Sequence, residues 1–270
     1  GLDVAAIESD PVAALYAAAN ASKAKVTCAN GLATDLPDAD AIWLDPARRA
    51  EDGRRIASPE RWIPPFSRAL SLARGFPLAG IKVAPGIAYH ALPPRTFVEW
   101  ISERGQLLEA VVWLGMGTGR SATIDGEQLD SGAKTADEPA VFVAPRPLGH
   151  LLFEPDPAIV RSGGIARLCE KHGLAPVSEG IAYLTGEAVP PHCAAFEVLD
   201  VVAPEAKRIK RSLAAHGIGR TEVKKRGTEV DVAAMAKKLS GRGGDAGVVL
   251  FSPVLGRHRA IVARRTAVTF

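Results

Sequence analysis

The chain has little that would crosslink it, carry it across a membrane or fill its core with rings. Among 270 residues there are three cysteines, Cys28, Cys169 and Cys193. They are far apart, odd in number and in no C-x-x-C pair, which argues against a disulfide framework and against a structural zinc site. A reducing cytoplasm is the natural setting for such thiols, and no metal is expected. No apolar run approaches the roughly 18 residues that a membrane span needs, and no signal-peptide pattern opens the sequence, so no membrane partner is expected either. Aromatic residues make up only 6% against 47% hydrophobic, so the core must be built mostly from Ala, Val, Leu and Ile. The six histidines show no ligand spacing. Residue 1 is Gly rather than Met, and Gly1-Leu2-Asp3-Val4 already reads as strand, so the expectation is a truncated or processed chain.

What the sequence does have is an uneven charge. Residues 1–199 carry 18 Lys+Arg against 24 Asp+Glu, whereas residues 200–270 carry 15 against 6. A concentrated basic segment is most often used on a phosphate backbone, because each neutralised phosphate releases counterions. The competing reading is a solvated charged surface.

The first 145 residues alternate short β-rich runs with helical patterns, as a parallel α/β sheet does. Strands are expected at 2–8, 25–28, 41–45, 78–83, 107–114, 121–124 and 140–144, with the last three read as antiparallel hairpin pieces. Asp10-Pro11 and Ser58-Pro59-Glu60 are helix starts, the second leading into 61–74. Pro145-Arg146-Pro147 cannot continue a helix or a central strand and marks a domain boundary, giving 1–147 and 148–270. Beyond it, helices are expected from Asp156-Pro157 to Gly173, broken at Gly163-Gly164, and over 204–216 and 232–239. Strands are expected at 195–202, 220–225, 247–252 and 259–264. Lys207, Arg208, Lys210 and Arg211 on the helix, with Lys224, Lys225 and Arg226 on the strand, are the candidate contacts to a phosphate backbone.

Two acidic strand ends carry the chemistry. The strand Val4 to Ile7 ends in Glu8 and is followed at once by a capped helix, the place where nucleoside-binding α/β folds put a carboxylate that accepts from both ribose hydroxyls. Ala41-Ile42-Trp43-Leu44 delivers Asp45-Pro46 to the edge where open α/β sheets bind ligands. There Asp45 could take a hydrogen bond or proton from a target nitrogen. Cys28-Ala29-Asn30 ends the strand between them. Gly115-Met116-Gly117-Thr118-Gly119 looks like a nucleotide loop but is not followed by a helix, as such a loop requires. Lys82 reads either as a phosphate contact or as a snorkelling side chain.

Glu8, the Asn30 region and Asp45-Pro46-Ala47-Arg48 resemble the second, third and fourth motifs of class I S-adenosylmethionine (SAM)-dependent methyltransferases. The wider pattern is similar to bacterial methyltransferases with a THUMP-like C-terminal domain, through Asp45-Pro46-Ala47-Arg48-Arg49 and Gly53-Arg54-Arg55. It continues in Phe153-Glu154-Pro155-Asp156-Pro157, Ile181-Ala182-Tyr183-Leu184-Thr185-Gly186 and Lys224-Lys225-Arg226-Gly227. The resemblance implies an α/β fold: a Rossmann-like methyltransferase sheet lacking its first strand, plus a smaller α+β THUMP-like domain. It implies SAM as cofactor, with Glu8 and Ser9 at the ribose and Ala29 and Asn30 near the adenine. Asp45, Pro46 and Arg48 fall at the transfer site, and Asp45 is also implied as a cofactor contact. RNA, tRNA or rRNA, is the implied substrate and partner. Amino-directed members usually place Pro and an aromatic residue where Ala47 and Arg48 stand, so Trp43, Trp62 or an Arg plane would have to stack on a target base. The Gly-rich first motif, on a strand between those of Glu8 and Asp45, is absent. The expectations are therefore a displaced 2–28 unit or strand exchange in a dimer, and a chain that binds SAM poorly and is inactive alone. A non-catalytic RNA-binding or scaffold protein with a degenerate methyltransferase core is the alternative.

Overall fold

The computed structural model describes residues 1–49, 52–241 and 244–266. The chain resolves into two compact units, Gly1–Ala84 with Val111–Gly117, and Pro85–Ala110 with everything from Thr118 onward. No helix among the described residues is long and apolar enough to cross a membrane.

The first unit opens with β1 (Ala5–Glu8), α1 (Pro11–Asn20) and β2 (Lys25–Cys28). Asp10 caps α1 as its sequence predicts, its Oδ1 accepting the N–H groups of Val12 and Ala13 at 2.8 Å each. β1 and β2 run parallel, in register from Ala5↔Lys25 to Glu8↔Cys28, and form a sheet of their own. β3 (Ala41–Leu44) and β4 (Leu78–Val83) make a second parallel pair. Direct pairing of β1 with β3, the arrangement that would exclude an intervening strand, is not found among the described residues. The helix expected over 61–74 is shorter: a 3-10 turn at Pro59–Arg61 and then α2 (Phe66–Ala73). Pro64 and Pro65 explain the gap, since each removes a donor and crowds the preceding turn.

Parallel strands are ordinarily buried on both faces, and a two-stranded sheet is marginal alone. Here Val12, Leu15 and Tyr16 of α1 stand in solvent, and Ala14 is the helix's only buried residue. Amides of β1 and β2 are therefore expected to exchange with deuterium about a hundredfold faster or more than those of the buried strands described next. Equal protection measured by exchange mass spectrometry would show that the β1–β2 sheet is as stable as the rest.

The second unit begins with β5 (Phe97–Glu103), β6 (Gln106–Leu114, its last four residues in the first unit), β7 (Gly119–Ile124) and β8 (Glu127–Asp130). β7 and β8 form an antiparallel hairpin closed by Asp125-Gly126, both at positive φ, which suits the twist of a two-residue turn. β5 runs parallel to β7, so this region is not purely antiparallel as expected. The strand expected at 140–144 is not formed. Pro139 and Pro145 bracket it and withhold ladder donors, leaving Val141 and Phe142 exposed.

There follow β9 (Leu151–Pro155), α3 (Pro157–Ser162), α4 (Ile165–His172), β10 (Ala175–Pro176), β11 (Leu184–Thr185) and β12 (Cys193–Val202). Then come α5 (Ala206–Ala215), β13 (Ile218–Lys225), α6 (Val232–Leu239), β14 (Asp245–Val254) and β15 (Arg257–Arg265). The break at Gly163 and the stop at Gly173 are as expected, both glycines being left-handed caps. The sheet order is β10-β11-β9-β12-β15-β14-β13, parallel only at β13–β14. One face packs Val223, Val249, Phe251 and Val262 against Ile209 and Leu213 of α5 and Leu239 of α6. The other face buries Leu152, Tyr183, Phe196, Leu250 and Ile261.

This sheet is curled. Lys224 of β13 reaches Glu154 of β9 at 2.6 Å, although the strands are four places apart, about 19 Å in a flat sheet. The segment expected to be a linker at 145–147 is tied into the second unit, Arg146 donating from its backbone N to Pro176 O and from Nη2 to Gly173 O. By packing, residues 118–144 also go with the C-terminal half: α3 lies against β5 and β7, and Ser102 Oγ donates to the buried Asp156 carboxylate at 2.7 Å.

Candidate functional site

Glu8 and Cys28 end a parallel pair, so the segments that follow leave from the same rim. Ala29 N–H donates to Glu8 O at 3.0 Å, which brings Glu8, Ser9, Ala29 and Asn30 together. Glu8 Oε1 accepts Asp10 N–H at 2.8 Å and Ser9 Oγ at 3.4 Å. Oε2 holds no hydrogen bond among the described residues, so one carboxylate oxygen faces outward. Asn30 Oδ1 accepts Leu32 N–H and shapes the turn.

Asp45 leaves β3 at the carboxyl edge of the second parallel pair. Its Oδ2 lies 3.3 Å from Lys82 Nζ, because Leu44 is in register with Ile81 and the next residues stand side by side. Lys82 therefore neither snorkels away nor stands apart from the acid. Pro46 is buried, and the loop after it is stitched down where Arg48 O accepts Ile56 N–H and Ala47 bridges Ile63. Trp43 is half exposed over Gly80, its ring 5.7 Å from that of Trp113. Trp62 is buried and donates Nε1 to Ile56 O, so it is not free to stack on a base.

Other sequence candidates have structural roles. Gly115 sits at φ +88° with Pro77 O 2.3 Å from where a Cβ would be, so its glycine serves close backbone packing. Burial pushes the Cys169 thiol up to about 11 and the Cys193 thiol up to about 12, which leaves neither with thiolate character at neutral pH. No group of three or more His, Cys, Asp or Glu side chains among the described residues is placed to hold a metal.

The seven basic candidates divide between two faces. On α5 the buried Ile209, Ser212 and Leu213 turn Lys207, Arg208, Lys210 and Arg211 outward. Among the described residues, only Arg208 of these four is in an ion pair, with Glu205 at 3.2 Å. Lys225 is exposed as well. Lys224 and Arg226 point to the opposite face, where they share Glu154 at 2.6 and 3.5 Å. The Arg226 guanidinium also stands 5.1 Å from the centre of the buried Tyr183 ring. Gly227 completes the cluster, since a Cβ there would meet Ile181 Cδ1 at 2.4 Å. The segments around Glu154, Tyr183 and Arg226, far apart in sequence, thus converge. Glu154 and Tyr183 lie in two of the motifs that carry the resemblance, but nothing in the sequence says that they meet Lys224 and Arg226.

Residues 193–265 match the family described as THUMP domain-like. Proteins of two Mycobacterium tuberculosis strains, CDC 1551 / Oshkosh and ATCC 25618 / H37Rv, each named an uncharacterised S-adenosylmethionine-dependent methyltransferase, are 34% identical over 229 residues. The match takes in 79% of this chain, and it spans 62% of the length of those curated relatives. The crystal structure of a candidate methyltransferase from Porphyromonas gingivalis W83 superimposes with a TM-score of 0.73 at 13% identity, covering 97% of this chain and 71% of that one. By sequence the chain is thus a relative of S-adenosylmethionine-dependent methyltransferases, with a methyltransferase-like fold and a THUMP-like region at its C-terminal end.

Proposed function

We propose that this chain is part of a SAM-dependent methyltransferase acting on RNA, with residues 148–270 as the RNA-binding module. The observation that carries the reading is the pair of acidic strand ends, each at the carboxyl rim of a parallel pair. The residues fit the cofactor: Glu8 keeps one carboxylate oxygen open to ribose hydroxyls, and the exposed Asn30 turn adjoins it. When bound, SAM supplies an electrophilic methyl group on a sulfonium. Asp45, held by Lys82, accepts a hydrogen bond or proton from the target nitrogen, and Trp43 offers a half-exposed ring against which a base can stack. Lys207, Arg208, Lys210, Arg211 and Lys225 take the phosphate backbone. Lys224 and Arg226 contribute less because Glu154 already holds them. The setting is the cytoplasm, where an exposed thiol such as Cys28 stays reduced.

The test is methyl transfer from labelled SAM to total bacterial RNA by the full-length protein. Asp45→Asn is expected to lower the rate roughly a hundredfold or more while SAM affinity stays within about threefold. Glu8→Ala should weaken SAM binding by about tenfold. Label appearing only in protein or DNA, or none transferred at all, would overturn the reading.

A further inference from the structure

A cavity in the second unit is not used by any residue assigned above except Arg226. It has a volume of about 650 Å³, within the range of small-molecule sites, and opens between the Gly86–Tyr89 loop and α3. Its wall is apolar on one side, through Ile87, Leu107, Pro157 and Val160. Among the described residues, Arg161 and Arg226 are the only charged side chains in its lining, and no carboxylate lines it.

The lining is held in place from behind. Tyr89 donates its Oη to Arg161 O at 2.9 Å, and its ring is stacked under the buried Arg120 guanidinium, 3.9 Å from the ring centre. Trp100 packs edge-on against the same ring. Arg161 itself is exposed and makes no ion pair among the described residues. Arg226 is partly drawn off by Glu154, but only at 3.5 Å, because Lys224 takes the shorter 2.6 Å contact with that carboxylate. A guanidinium has five N–H donors, so Arg226 keeps donors to spare. Two guanidinium groups beside an apolar wall match a ligand with an anionic oxygen cluster at one end and a flat apolar face at the other.

We propose that this cavity takes a nucleoside phosphate, its phosphate between Arg161 and Arg226 and its base against Ile87, Pro157 and Val160. That the nucleotide belongs to a bound RNA rests on the function proposed above; the cavity's preference for nucleoside phosphate does not. The experiment titrates the full chain with adenosine 5′-monophosphate, adenosine and inorganic phosphate by calorimetry, then repeats the titration with a structured RNA present. The monophosphate is expected to bind saturably and at least about tenfold more tightly than adenosine or phosphate alone. Arg161→Gln should weaken it by about tenfold, and Val160→Glu, which places a carboxylate in the apolar wall, should abolish it. Unchanged melting temperatures would show that both variants remain folded.

Competition by RNA identifies the nucleotide as part of an RNA chain, and a lack of competition identifies it as a free nucleotide. No saturable binding up to about 10 mM, or binding indifferent to Arg161→Gln, overturns the proposal. If RNA binds while the monophosphate does not, the RNA reading stands and the cavity inference falls; if the monophosphate binds and RNA does not, the reverse holds.

Discussion

Replacing Gly115 by alanine is expected to cost about 3 kcal/mol or more and to lower the melting temperature by roughly 6 °C or more. Two separate penalties add at this position. The backbone is at φ +88°, where an L side chain is strained, and the new Cβ would stand 2.3 Å from Pro77 O. That oxygen is backbone immediately before β4, so no rotamer change relieves the contact and the strand entry itself has to move. Gly117 is the internal control: its φ is +94°, but nothing lies within 4 Å of its Cβ position. Gly117→Ala should therefore cost only the conformational strain, about 1 kcal/mol. Thermal unfolding followed by circular dichroism separates the two. Equal, small losses would mean that the Pro77 contact does not constrain the segment.

Glu154→Ala is expected to destabilise the chain by about 2 kcal/mol and to lower the melting temperature by roughly 4–8 °C. The carboxylate is 19% exposed and its partners Lys224 and Arg226 are 25% and 30% exposed, so the loss lies between that of a surface pair and that of a fully buried one. Removing the acid leaves two partly buried cations side by side at the end of β13, with Glu222, 3.9 Å from Lys224, as the nearest remaining acid. A double-mutant cycle with Lys224→Met should return a coupling of about 1 kcal/mol or more, and a coupling near zero would show that the contact does not hold the curl. The same substitution frees Arg226 and Lys224 for phosphate, so RNA affinity should hold or rise as stability falls. A drop in both together would instead assign Glu154 a direct part in binding.

Much of the architecture could be read from local chemistry. Asp10-Pro11, Asp156-Pro157 and Gly173 announce their helix ends, and α6 and the strands at 25–28 and 78–83 lie where their apolar periods put them. β5 was passed over although its buried Val98, Trp100 and Ser102 alternate with more exposed neighbours, the pattern of a strand against a core. At 140–144 the composition favours a strand, but flanking prolines and the lack of a partner decide otherwise. The strand ends that place Glu8 and Asp45 were legible because a parallel strand ending in an acid is a local pattern. The fate of Lys224 and Arg226 was not, since it depends on a curl that brings residue 154 to residue 224. Alternation along β13 shows that neighbouring cations take opposite faces, but not which face holds an acid. The cavity beside Tyr89 was equally hidden, because its two arginines come from segments 65 residues apart.

The contact between Arg226 and Glu154 spans 72 positions of sequence. During synthesis β9 emerges early and has to wait for α5, β13 and most of the basic segment before its carboxylate meets a cation. Non-local closures of this kind slow folding, because the entropy of closing a long loop is spent before the contact forms. The C-terminal half is thus a late-closing module, whose strand β13 has no pairing partner until β14 has left the ribosome.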